Sequence, residues 1–236
     1  GGKDTITIQN MSGETARLDY VSMAWEKAIP LSPLSGKHPT ATYVKNISNQ
    51  DLHADGQADL VIVVPSSGAL LKQAQRLKEF HESHDGMRVN IVSADQLYNE
   101  FSSGTPDANA YRRYLRMLQD RAATEADMPK YLLLFGDCVW DNRMLTADCK
   151  RFDPDDYLLV YESENSFSET TCYAGDSWMG ILAEGAGSDA RRELQDVGVG
   201  RFPVTTVADA KIMVDKTINY SKNQNGIYYV TQENEV

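Results

Sequence analysis

The residues best suited to chemistry in this sequence are its cysteines, because a thiolate is both a nucleophile and a metal ligand. The chain has three of them, Cys138, Cys149 and Cys172. None has the Cys-x-x-Cys spacing or the neighbouring histidines of a zinc site. A disulfide between Cys149 and Cys172 would suit an oxidising compartment, but the sequence leaves this pairing open because a bridge depends on geometry.

Cys138 has the best position for nucleophilic catalysis, because it follows an apolar run and a turn at the carboxyl end of a predicted strand. Ligands of open α/β sheets bind at that edge. A thiol needs a histidine or another cation nearby to lose its proton near neutral pH. The pattern places all four histidines away from this edge: His38, His53, His81 and His84. We therefore expect Cys138 to be an unactivated thiol.

Two aspartates are candidates to support a catalytic site. Asp137 directly follows the apolar run, and its simpler interpretation is a turn residue that accepts hydrogen bonds from nearby backbone amides. Asp176 lies in the phrase Tyr173–Trp178, which is also typical of a turn. Arg201 follows a Gly-rich strand, and a buried arginine there would need an acidic partner of this kind.

Ion and cofactor sites are weakly indicated. Asp153, Asp155 and Asp156 offer hard oxygen ligands for calcium, although the same Asp-Pro-Asp-Asp phrase also makes a turn. The stretch Gly185–Ser188 lacks the lysine and the following helix of a phosphate-binding loop. The sequence therefore requires no cofactor and leaves calcium as a candidate.

The elements that would position these residues follow from the hydrophobic pattern. The apolar runs at 60–64 and 131–135 are continuous, which is typical of parallel strands buried on both faces, and the mainly apolar run at 87–92 predicts a strand between them in sequence. Amphipathic segments between them predict two helices, and a third follows from about 207 to 220. We expect a wound sheet in which the three runs are parallel neighbours.

The loops at one edge of this sheet should bring several polar residues together. Ser66 or Ser67 is expected to cap the first helix, which runs to about residue 85. The second helix is expected from about Asp107 to the proline at 129. The residues that we expect at the carboxyl edge, with Asp176 nearby, are Ser66, Ser67, Asp137 and Cys138.

The first part of the chain has a different pattern. Polar and apolar residues alternate in Thr5–Ile8 and Ala16–Met23, which predicts half-buried strands. Three prolines between Pro30 and Pro39 indicate a loop or linker. We therefore divide the chain into an N-terminal β segment with its linker, residues 1–55, and an α/β domain, residues 56–236.

Composition excludes several classes of partner. The 236-residue chain has a formal net charge of -11, and its acidic residues are spread along the sequence. Nucleic acids and anionic membranes need clustered lysine and arginine, so neither is an expected partner. No stretch approaches the roughly 20 apolar residues needed to span a bilayer.

Five phrases of this sequence resemble the gingipain-like cysteine peptidases. Three of them occur in the family's order: Gln96–Gly104, the strand ending in Gly136-Asp137, and Gly198–Val204. Two more, Ala16–Tyr20 and Asn49–Ala54, are similar to the branch of that family that contains the type IX secretion sortases. The resemblance extends from residue 16 to about residue 222.

The resemblance implies a caspase-like wound α/β fold and a hydrolase of proteins. It further implies cleavage of a C-terminal secretion signal, transfer of the cargo to a surface lipopolysaccharide anchor, and secretion-system components as partners. The implied location is the periplasm or cell surface of a Gram-negative bacterium of the Bacteroidetes kind. In the family, an aspartate near the active cleft stands in a phrase that Asp176 matches, and calcium is bound.

The family's chemistry needs a cysteine thiolate and a histidine. The histidine stands in a Gly-His-Gly phrase and the cysteine on a later strand, both beyond the phrase that ends at Val204. This sequence contains no Gly-His-Gly. We expect the β segment and the first, non-nucleophilic half of the peptidase domain, without the catalytic dyad. A partial chain, omitted residues, a reduced relative, and a binding or scaffold module with the same fold all stay open.

Overall fold

The computed structural model describes residues 49–163, 168, 170–183, 185–187 and 193–222. The strands predicted in Thr5–Ile8 and Ala16–Met23 and the linker at Pro30–Pro39 lie outside the described residues. The same holds for the tail after Lys222. Within the described part of the chain, no helix is long and apolar enough to cross a bilayer.

A four-stranded parallel sheet forms the centre of the α/β domain. Its strands are β1 (Leu60–Val64), β2 (Val89–Ser93), β3 (Tyr131–Phe135) and β6 (Gly198–Phe202). They are arranged in the order β2-β1-β3-β6, and every neighbouring pair is parallel. The prediction that the three apolar runs are parallel neighbours is therefore confirmed. Strand β2 begins two residues later and ends one residue later than the predicted run at 87–92.

Helices cover both faces of this sheet. Helices α1 (Leu71–His84) and α4 (Val207–Lys222) contact each other on one face. Helices α2 (Ala94–Phe101) and α3 (Asn109–Asp120) contact each other on the other face. Successive side chains of a strand point to opposite faces, so alternate residues of β1 belong to two separate hydrophobic clusters.

The two predicted helices differ from the observed ones at their ends. Helix α1 begins at Leu71 without a side-chain cap, so the predicted cap by Ser66 or Ser67 is wrong. Gly68 adopts a φ of 71°, which interrupts helical geometry between the serines and Leu71. Helix α3 ends at Asp120, and Thr124 then hydrogen-bonds Asp127 at 2.9 Å in a short 3-10 turn.

A small antiparallel pair lies outside the main sheet. It consists of β4 (Tyr161–Glu162) and β5 (Ala174–Gly175). Both strands belong to the long connection between β3 and β6, which also carries Asp176 directly after β5. The connection therefore places residues far apart in sequence near the carboxyl ends of the central strands.

Candidate functional site

Arg201 organises the polar groups at the carboxyl edge of β3 and β6. Its Nε and Nη2 atoms donate to the two carboxylate oxygens of Asp176 at 2.8 and 2.7 Å. Nη1 donates to the carbonyl of Gly136 at 3.0 Å, and Nη2 also donates to the carbonyl of Leu159 at 3.1 Å. One guanidinium therefore joins three separate segments of the chain. The predicted pairing of Arg201 with Asp176 is present.

The sheet register explains why Arg201 reaches this position. Arg201 lies beside Leu134 in the pairing of β3 with β6, close to the end of both strands. Its side chain is 9% exposed and that of Asp176 is 25% exposed. Burial alone would lower the pKa of Arg201, but the hydrogen bonds and charge of Asp176 raise it. Arg201 therefore keeps its charge although its side chain is largely shielded from solvent.

Close approach of two loops requires a glycine at the end of β3. A Cβ at Gly136 would lie 2.8 Å from Cγ of Pro65 and 3.2 Å from Cγ of Leu158. The loops after β1 and β3 therefore meet, as we expected from the parallel sheet. Beyond Pro65, the amide of Ser67 donates to the carbonyl of Asp155 at 2.8 Å.

Asp137 bonds mainly to its immediate surroundings. Its amide donates to the carbonyl of Val204 at 3.1 Å, and its carbonyl accepts from the amide of Leu158 at 2.9 Å. Its carboxylate accepts from the amide of Cys138 at 2.9 Å. These contacts give Asp137 a turn-forming role, and any support for a catalytic centre remains a prediction.

Cys138 lies half-buried beside this polar cluster. Burial raises the pKa of its thiol above the ordinary value, and the Asp176 and Asp137 carboxylates act in the same direction. The nearby charge of Arg201 opposes them without reversing the shift. Cys138, Cys149 and Cys172 are all free, so the possible bridge between Cys149 and Cys172 is not formed.

The described histidines bond to carboxylates elsewhere in the fold. His53 lies 2.8 Å from Glu100, and His81 and His84 lie 2.6 and 2.7 Å from the two oxygens of Asp85. His38 lies outside the described residues. Among the described histidines, none forms a hydrogen bond with Cys138.

The calcium candidates form a turn. The carboxylate of Asp153 accepts from the amide of Asp155 at 3.0 Å, at the start of the 3-10 turn Pro154–Asp156. Within the described residues, the metal-ligating atoms that come together as a group of three belong instead to Asp51, His53 and Glu100. Calcium binding at Asp153, Asp155 and Asp156 therefore stays a prediction.

Two features near this edge were not predicted from the sequence. One is helix α2, and the other is a pair of hydroxyl groups, in which that of Tyr98 in α2 lies 2.6 Å from that of Tyr111 in α3. The Tyr111 hydroxyl also accepts from the amide of Leu159 at 3.3 Å, and burial raises the Tyr111 pKa to about 12. The helical spacing of Leu97, Tyr98 and Phe101 is the signal that would have identified α2.

The chain is similar to a known family of peptidases and to a protein of known structure. The model of peptidase family C25 matches residues 53–232. The crystal structure of dimeric latent PorU from Porphyromonas gingivalis is similar, with a TM-score of 0.66 and 38% sequence identity. The match covers 74% of this chain and 16% of that chain, so the chain spans about one sixth of its relative. No curated protein matches the chain.

Proposed function

Because the chain belongs to peptidase family C25, we propose that it forms part of a gingipain-like cysteine peptidase that matures secreted proteins and attaches them to the cell surface. The similarity to PorU supports a place in type IX secretion. On this proposal, the protein acts outside the cytoplasm, in the periplasm or at the surface. Its partners are the secreted cargo proteins and other components of the secretion system.

The reaction class follows from the family. A cysteine thiolate attacks the carbonyl carbon of a peptide bond, and the amine leaves with a proton supplied by an imidazole. Backbone amides stabilise the oxyanion, and water or an acceptor amine then releases the acyl group. We assign Asp137 and Asp176 of this chain a supporting part in such a site, and this sequence contains no Gly-His-Gly phrase to supply the imidazole.

The observation that carries the proposal is the buried Arg201–Asp176 pair. Its four hydrogen bonds fix the end of β3, the segment at Leu159 and the turn after β5 in one arrangement. A cleft assembled on these loops would depend on that arrangement, because catalytic groups work only when held close to the productive geometry. Asp176 and Asp137 are therefore proposed as positioning residues.

A second candidate function is a binding or scaffold module with the same fold. The raised thiol pKa of Cys138 and the engagement of the described histidines with Glu100 and Asp85 favour it. The parental gene discriminates between the two functions. A Gly-His-Gly phrase and a downstream cysteine beyond Lys222 would support the peptidase, and their absence would support the module.

The test uses the full-length protein in the bacterium that produces it. Asp176→Asn keeps the shape of the side chain but removes the charge that pairs with Arg201, and we expect slower cleavage of the cargo's C-terminal signal. Asp137→Ala is expected to slow cleavage as well, through a displaced loop. Cargo cleavage is measured by immunoblotting, and the thermal midpoint is measured on the same variants after purification.

Asp120→Asn provides the matched control, because Asp120 is 58% exposed and its carboxylate pairs with Arg116 within α3. Its cargo cleavage should equal that of the wild type. A lowered thermal midpoint with unchanged cleavage per folded molecule would refute the positioning role of Asp137, and the same result for Asp176 would refute the proposal for the pair.

A further inference from the structure

Three side chains with metal-ligating atoms meet where the segment before β1 contacts α2. They are Asp51 and His53 in that segment and Glu100 in the last turn of α2. One ligand atom from each side chain lies within 4.8 Å of the other two. This group shares no residue with the polar cluster at Arg201, so the two are separate features of the fold.

The backbone and a ring contact fix the two ligands before β1. A 3-10 turn extends over Leu52–Ala54, and Asp51 is its N-cap, with Oδ1 accepting from the amide of Ala54 at 3.1 Å. Within the described residues, no hydrogen bond reaches the second carboxylate oxygen of Asp51. The ring of His53 stacks on Phe101 with a centroid distance of 4.7 Å and an interplanar angle of 15°. Because these ligands are already ordered, little entropy is lost when they bind an ion.

Glu100 is held in place by several donors. Its side chain is 16% exposed, whereas that of His53 is 55% exposed. The carboxylate accepts from the amides of Leu52 and His53 at 2.9 and 3.3 Å and from Nε2 of Gln50 at 2.7 Å. Hydrogen bonds of this kind orient the carboxylates that bind metals in proteins.

The types of ligand atom favour zinc. Nδ1 of His53 lies 2.8 Å from Oε2 of Glu100. Zinc binds imidazole nitrogen and carboxylate oxygen at about 2.0–2.2 Å in a tetrahedron, so two of its ligands are about 3.3–3.6 Å apart. The two side chains would therefore have to separate by less than about one ångström to admit the ion. Calcium and magnesium prefer oxygen ligands alone, so the imidazole does not suit them.

The local charge also favours a divalent cation. Asp51 and Glu100 bring two negative charges together, and neither forms an ion pair with a described lysine or arginine. Arg121 lies close by, but its Nη2 donates to the backbone carbonyl of His53 and not to either carboxylate. A divalent ion would neutralise both carboxylates.

We propose that Asp51, His53 and Glu100 bind one zinc ion. The ion would hold the segment before β1 against the last turn of α2, and its binding free energy would add to the stability of the fold. Three protein ligands leave the fourth tetrahedral position to water. This inference goes beyond the proposed function and does not depend on it.

Calorimetric titration of the intact protein with zinc chloride tests this proposal, after treatment with EDTA and removal of the chelator. We expect saturable binding of zinc and a thermal midpoint that rises with zinc concentration, since an ion that binds only the folded state stabilises it. Excess calcium chloride should not displace the zinc, because imidazole nitrogen is not a calcium ligand. Absence of saturable zinc binding, or displacement of zinc by calcium, would overturn the proposal.

Two variants locate the ion. Asp51→Asn removes a ligand charge but keeps the cap of the 3-10 turn, because asparagine caps as well as aspartate does. His53→Gln removes the imidazole. Each should weaken zinc binding at least about tenfold, because loss of even an outer-shell partner of a metal usually has an effect of that size. Circular dichroism without zinc shows that each variant is folded.

His84→Gln is the matched control, because His84 is also partly exposed and its Nδ1 lies 2.7 Å from a carboxylate oxygen of Asp85. Its zinc affinity should equal that of the wild type. Weaker binding by His84→Gln would place the ion at the other histidine–carboxylate pair and overturn the proposal. Wild-type affinity in either folded ligand variant would overturn it as well.

Discussion

Arg201 shows how one buried cation can determine the arrangement of several loops. Its guanidinium has five donor hydrogens in a rigid plane, and it donates to one carboxylate and two backbone carbonyls. A lysine could not make this set of bonds, because its three N–H donors are all on one nitrogen atom. The geometry therefore depends on arginine specifically as well as on positive charge.

We predict that Arg201→Met strongly destabilises the fold. The substitution leaves Asp176 charged without its partner and two carbonyls without their donor, and breaking a buried pair costs about 3–5 kcal/mol. Because Asp176 is 25% exposed, we expect a loss at the lower end of that range, about 3 kcal/mol. Urea unfolding followed by circular dichroism measures the free energy of unfolding.

Lys78→Met is the control for this measurement. Lys78 is 35% exposed and Glu82 is 42% exposed, so this pair on α1 is weakened by solvent. We expect a loss at most about 1 kcal/mol for it. Equal losses for the two variants would contradict a structural role for the Arg201 pair.

The sequence predicted which kinds of residue would pair more accurately than it predicted the individual hydrogen bonds. A buried arginine requires an acid, and this rule led from Arg201 to Asp176. It could not show that the same guanidinium also reaches Gly136 and Leu159, because backbone carbonyls are present at every residue and carry no sequence signal. The contact between Asp137 and the Cys138 amide at 2.9 Å, in contrast, is of the kind predicted for a turn aspartate.

At the scale of elements, strands were predicted more accurately than helices. The runs at Leu60–Val64 and Tyr131–Phe135 are continuous and apolar, and the observed strands have the same bounds. Helix ends depend on single residues such as Gly68, whose positive φ moves the start of α1 to Leu71. Helix α2 has eight residues, so the helical spacing of Leu97, Tyr98 and Phe101 extends over about two turns and is a weaker signal than that of a longer helix.

The start of the sheet is held by one carboxylate. Asp59 precedes β1 and accepts from the amide, Nε and Nη2 of Arg88, at 2.9, 3.0 and 3.1 Å. It also accepts from Nζ of Lys130 at 2.9 Å. These donors stand next to β2 and β3, so Asp59 joins the three neighbouring strands at their amino ends. Hydrogen bonds from Arg88 hold the pKa of Asp59 well below its ordinary value, although burial opposes them.

We predict that Asp59 stabilises the fold in a pH-dependent way. A carboxyl group with a lowered pKa contributes stability above its unfolded pKa of about 3.9, and that contribution is lost as the pH falls toward the folded pKa. Asp59→Asn should lower the free energy of unfolding by about 2 kcal/mol at pH 7, with the figure kept modest because Arg88 and Lys130 are partly exposed. The difference between the two proteins should shrink below about pH 4.

Urea unfolding of both proteins between pH 2 and pH 7 checks this prediction, with Asp120→Asn as the control for a general effect of charge. A difference that stays constant down to pH 2 would show that the effect of Asp59 does not come from its ionised form. A difference that grows as the pH falls would contradict the sign of the argument.

At the scale of the whole molecule, the carboxyl edge carries two neighbouring chemical regions. One is the buried, charged cluster at Arg201 beside β3 and β6, and the other is an acidic and aromatic cavity beside α2 and α3. Leu159 belongs to both, because it lines the cavity and its carbonyl accepts from Arg201. A substitution that displaces the segment at Leu159 is therefore expected to affect both regions.

The last prediction concerns activity of the 236-residue chain itself. A cysteine peptidase needs a thiolate at neutral pH, and burial raises the thiol pKa of Cys138 above its ordinary value. His53, His81 and His84 are hydrogen-bonded to Glu100 and Asp85, so none of these imidazoles is placed to accept the Cys138 proton.

We therefore expect the purified chain to hydrolyse arginine peptides, lysine peptides and a peptide with a C-terminal secretion signal no faster than Cys138→Ala does. Fluorogenic peptide assays with equal amounts of the two proteins measure the rates. Turnover by the chain that Cys138→Ala abolishes would show that Cys138 is an activated nucleophile and that its surroundings rearrange when substrate binds.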